Sequence, residues 1–145
     1  MHELSRILFI AGACPFILLG AAHALATPLR VEERKGLSPS DKGLAEQMAR
    51  ATLRLTRRTD VWRAWVGFNL SHSLGAVAFG LLVVIAGRTR ASFATEGPVF
   101  APIALAISST YLVLAVRYWF RTPIVGCALS ATLFLASSVL LLLGP

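Results

Sequence analysis

The sequence predicts an all-α membrane protein: a four-helix transmembrane bundle with an amphipathic cytoplasmic helix between its first and second spans. Three observations carry this expectation. Of 145 residues, 56% are apolar and only 14% charged. Apolar runs of about 20 residues, the length that crosses a hydrocarbon core of about 30 Å, recur four times. Charge collects in one long segment between the first and second runs. Most apolar surface on such a chain faces lipid or a neighbouring helix, and the whole length reads as one integral-membrane domain, 1–145.

The first span is expected over about 4–26. Small residues in "ALAT", Ala24 to Thr27, also fit a signal-peptidase site, although the charged start is weak and the apolar run long for a signal core. In "SPSDKGLAEQMARATLRLTRRTD" the residues Ser38, Pro39 and Asp41 form a helix-start signal. Leu44, Met48, Ala51 and Leu55 then recur at helical spacing, predicting an amphipathic helix over about 39–58 with its arginines at lipid phosphates. A second span follows over about 62–87 and a third over about 98–120, opening at Pro98 after a polar connection, "RTRASFATE". The fourth, about 123–144, opens at Pro123, so the third and fourth make a tight antiparallel hairpin.

Orientation follows from the cations. Eight Lys and Arg lie in the long loop, and Arg63, Arg117 and Arg121 join them; only Arg6, Arg88 and Arg90 fall on the other side. The positive-inside rule therefore places the loop in the cytoplasm and both termini outside, as expected for a multi-pass membrane protein. Trp62, Trp65, Tyr118 and Trp119 are the expected interfacial anchors. The formal charge of +7 points to anionic headgroups at the basic loop rather than to nucleic acid, because the cations crowd beside the spans.

Polar residues inside the spans are the candidate functional groups. Trp62, Trp65, Asn69, His72, Ala76 and Phe79 share one stripe of the second span, which should point into the bundle, since an amide or imidazole facing lipid is left unpaired. Gly67, Gly75 and Gly80 are expected to permit close approach on other faces. His23 of the first span, Tyr111 and Ser108 of the third, and Ser130 and Ser137 of the fourth are the available partners; Arg117 either snorkels outward or turns toward His23 or an anionic ligand. Cys14 and Cys127 read as small buried packing residues.

Several chemistries are disfavoured. His23 is three residues from its span end and His72 ten from its own, a depth difference of about 10 Å, so a shared haem is not expected. No carboxylate lies well inside a span and no His pair has metal spacing, so neither metal nor cofactor is expected. Ser71 and Ser73 flank His72 but point about 100° away from it on a helix, so no catalytic pair is assigned.

"VWRAWVGFNLSHSLGA", with Trp62 to Trp65, Phe68, Asn69, Ser71, His72, Ser73 and Gly75, resembles an uncharacterised family of small four-span bacterial inner-membrane proteins with a WRAW…FNxSHSxG second-span motif, and "LGAAHAL" around His23 resembles that family's first span. The resemblance runs along nearly the whole chain. It implies a retained first helix and a four-helix bundle, and it implies no activity. The expected function is the binding of a lipid-like or quinone-like ligand within the bundle, by Trp65, Asn69, His72, His23, Tyr111 and Arg117. Two other classes remain open: a structural subunit docking on a membrane-protein partner, and an integral-membrane enzyme using His72 as acid or base.

Overall fold

The computed structural model describes residues 2–143. They form five helices and no named strand: α1 His2–Ala26, α2 Lys42–Arg50, α3 Val61–Gly87, α4 Arg90–Tyr118 and α5 Arg121–Leu143. Four of these, α1, α3, α4 and α5, are long and apolar enough to cross a membrane.

Three boundaries differ from those read in the sequence. The loop helix is nine residues long and ends at Arg50, not at 58. Continuing it would stack Arg50, Arg54, Arg57 and Arg58 at three- and four-residue spacing, where like charges repel. The chain instead folds back: Thr52 bridges Asp60, and the Val61 N–H donates to the Ala51 carbonyl at 2.8 Å. Of the three start signals only Asp41 caps α2, accepting the Gly43 N–H at 2.8 Å.

The third span begins at Arg90 rather than Pro98, because Thr89 caps it by accepting the Ser92 N–H at 3.2 Å. Pro98 and Pro102 therefore sit inside α4, each removing a donor from the helical ladder. The fourth span begins at Arg121, so Pro123 occupies its third position. Only Trp119 and Phe120 separate α4 from α5.

The described chain divides into two compact units, residues 1–19 with 76–145, and residues 20–75. In the first unit the N-terminal part of α1, the C-terminal part of α3, and α4 and α5 share a core of Phe9, Phe16, Phe93, Ala101 and Phe134. Phe134 meets Phe9 edge-on at 5.7 Å and Phe79 at 6.2 Å. A polar seam joins α1 to α5. Ser5 and Ser137 each donate to the other's carbonyl, at 2.8 and 2.9 Å, and Ser130 donates to the Gly12 carbonyl at 2.8 Å. Both partners repeat at seven residues, so the seam follows one antiparallel contact line. Hydroxyls on backbone carbonyls satisfy their own donors inside an apolar layer, at about 0.6 kcal/mol each.

Small residues set the helix spacing, though not all the glycines expected to do so. A Cβ at Gly80 would lie 2.5 Å from Ile17 Cγ1 and 3.1 Å from the Ala13 carbonyl, whereas Gly67 and Gly75 have open space. Close approach therefore involves Gly80, and likewise Gly12 against Phe134, Gly87 against Ile10 and Gly126 against Leu19. Cys127 is buried, but Cys14 is exposed, contrary to the packing role expected of it.

The second unit holds the end of α1, the loop, α2 and the start of α3. Thr27 closes α1 by donating its hydroxyl to the His23 carbonyl at 2.8 Å. The loop returns to this end where the Leu37 N–H donates to the Ala26 carbonyl at 3.0 Å, with Gly36 at φ 36°, a conformation that favours glycine. Glu33 accepts the Leu29 N–H at 3.1 Å, which, with Lys35 and Arg30 nearby, holds its carboxyl below the usual glutamate range.

Candidate functional site

Asn69, on α3, is the pivot of the second unit. It is only 4% exposed, so each of its polar atoms needs a partner. The helix supplies one of them: the Asn69 Nδ2 donates to the carbonyl of Trp65, one turn earlier, at 2.7 Å. A carbonyl can only accept, so this bond fixes which end of the amide is nitrogen. Asn69 Oδ1 is left facing His23 Nε2 at 2.9 Å. His23 therefore carries its hydrogen on Nε2 and donates to Asn69.

The His72 ring lies one turn further along the stripe and meets the His23 ring at 5.2 Å, edge to face. It also meets Phe68, stacked at 6.2 Å and 13°. His23 and His72 are both half-buried, and Phe68 is exposed. The expected 10 Å difference in depth is thus wrong. It assumed that α1 and α3 end at one level, whereas pairing of His23 with Asn69 leaves α3 projecting about 8 Å past the last residues of α1.

Comparison with family models, curated proteins and solved structures returned no match to this chain.

The remaining sequence-predicted residues divide. Trp65 contributes its carbonyl to Asn69, and its ring packs on Trp62 at 5.2 Å. Trp62, expected as an interfacial anchor, is buried at 4% exposure, and its indole N–H has no hydrogen-bond partner among the described residues. Tyr111 belongs to the first unit, where its ring meets Phe16 edge-on at 5.2 Å. Arg117 is also in that unit; it is exposed, with its guanidinium 5.8 Å from the Tyr118 ring centre.

Three serines act locally. Ser71 donates to Phe68 O at 2.9 Å, Ser73 to Asn69 O at 2.9 Å, and Ser108 to Leu105 O at 3.0 Å, each one turn back on its own helix. Ser108, a candidate partner of the Asn69 stripe, lies in the first unit. Ser5, which anchors the α1–α5 seam, was missed; its one sequence signal is a hydroxyl seven residues before a glycine on an apolar run. Among the described residues no three His, Cys, Asp or Glu side chains gather as a metal set.

Proposed function

We propose that this chain is a small multi-pass protein of a bacterial inner membrane that holds a lipid-like or quinone-like ligand against the His23, Asn69 and His72 cluster. The observation that supports this is the oriented imidazole pair, with His23 fixed by an amide that is itself fixed by a backbone carbonyl, and with the half-buried His72 ring beside it. A helix seeking only to satisfy Asn69 needs one partner. Two imidazoles on membrane-crossing helices exceed that requirement, and polar groups in such helices are costly unless used. Phe68 and Trp65 add aromatic surface suited to a flat apolar ring, and an imidazole beside them can exchange a hydrogen bond with a ligand carbonyl or hydroxyl.

Native mass spectrometry of the protein released from its own membrane in mild detergent tests this reading. The wild-type chain is expected to carry an adduct of small-molecule mass, and His72→Ala to lose it while keeping its helical content. A bare wild-type chain, or equal retention by His72→Ala, overturns the proposal and leaves the cluster as helix packing. Sidedness belongs to the same reading: eleven cations on one side against three support a cytoplasmic 27–61 loop.

A further inference from the structure

A cavity of about 590 Å³ opens in the first unit, between the end of α3 and the first half of α4. Its walls are apolar, including Phe79, Leu82, Phe100, Ile103 and Ile107. From Ser92 to Ile107 the α4 wall runs about 22 Å, more than the half-thickness of a hydrocarbon core. Arg88, Thr89, Ser92 and Glu96 form the other end, where the helix connection leaves the apolar zone. The cavity is thus shaped for an amphiphile: a long apolar channel with a polar mouth.

The charges at this end distinguish which amphiphile. Glu3 is held by Arg6 at 2.6 Å and by Arg90 at 2.8 Å. Arg6 also donates to the carbonyls of Gly87 and Arg88 at 3.0 and 3.4 Å, capping the end of α3. Those three side chains pair with one another within the fold and carry one net positive charge, and none of them lines the groove. Arg88 and Glu96 do not join them: among the described residues neither has an ion pair or a side-chain hydrogen bond, and both line the mouth. A neutral ligand would leave both charges unmatched. A purely anionic headgroup would meet Glu96, and a purely cationic one Arg88. A headgroup bearing both signs satisfies the pair.

We infer that this groove is a binding site for a zwitterionic phospholipid of the phosphoethanolamine class. One acyl chain lies along Phe100, Ile103 and Ile107, the phosphate is at Arg88 with the Thr89 and Ser92 hydroxyls, and the ammonium is at Glu96. The site is separate from the imidazole cluster and does not depend on it.

The full chain, stripped of native lipid in detergent, can be offered equimolar phosphatidylethanolamine, phosphatidylglycerol and diacylglycerol, with retained lipid read by native mass spectrometry. The wild type is expected to retain phosphatidylethanolamine over phosphatidylglycerol by about fivefold, the ratio that one exposed ion pair can supply. Glu96→Gln should erase that preference while keeping phosphatidylglycerol. Arg88→Gln should lower retention of both phospholipids toward that of diacylglycerol, and Ile103→Trp, which fills the groove at a half-exposed position, should lower all three. Retention in equal proportion by the wild type, or a lipid order unchanged in both charge variants, overturns the inference and reduces the groove to ordinary lipid solvation.

Discussion

Asn69 and Ser108 show what a buried polar side chain contributes when its partner is distant in sequence and when it is local. Asn69 joins two helices through His23, whereas the Ser108 hydroxyl returns to its own Leu105 carbonyl. Asn69→Leu should therefore cost about 0.6–2 kcal/mol, since it removes the interhelical bond and strands the His23 N–H. Ser108→Ala should stay within about 0.5 kcal/mol of wild type, because removing that hydroxyl takes its own acceptor need with it. Denaturant unfolding in detergent micelles, followed by far-UV circular dichroism, compares the two. The stripe that carries Asn69 and His72 was legible from three- and four-residue spacing. His23 was legible as a polar residue in an apolar run, but its pairing was not, because helix ends in one membrane protein need not share a level. Hydroxyls are hardest to read this way: a serine can bond its own turn or a neighbour with no change in sequence pattern, and Ser5 and Ser108 took opposite courses.

Helices lengthen or stop here for reasons that hydropathy does not weigh. Proline signalled the start of the third span, yet Thr89 had already capped the helix, and inside an apolar layer breaking further backbone bonds costs more than accommodating two prolines. The loop helix shows the opposite error, since its apolar stripe continued to Leu55 while like charge accumulated along the same turns. Leu55 is 94% exposed, so that end of the stripe finds no cover among the described residues. Close approach is likewise decided by what stands opposite a glycine rather than by the glycine itself. Gly80→Ala, which meets a backbone oxygen as well as a side chain, should destabilise by about 1–3 kcal/mol. Gly75→Ala meets nothing and should be neutral or stabilising by up to about 1 kcal/mol through helix propensity. Thermal unfolding of the two variants side by side in one detergent checks the contrast.

Across the whole molecule, fold class and the number of long apolar helices followed from composition alone, because about 20 apolar residues have few other uses. The assignment of sides can be checked by single-cysteine labelling in intact cells, starting from a variant lacking Cys14, whose exposure would confuse the readout. A membrane-impermeant maleimide is expected to modify Ala91→Cys, in the first turn of α4, and to reach Ser40→Cys in the long loop only after permeabilisation; the reverse pattern would invert the proposed topology. One consequence of the α3–α4 groove concerns how its occupancy is to be expressed. Leu82, Ile85, Phe100 and Ile103 line it and are each 39% exposed or more, so its long side is open toward whatever surrounds the helices. A guest entering by that side arrives by lateral diffusion in two dimensions and never crosses water. Its binding constant is then a mole fraction of the surrounding lipid: diluting the sample with buffer should leave the site filled, and diluting the bilayer with an inert lipid should empty it.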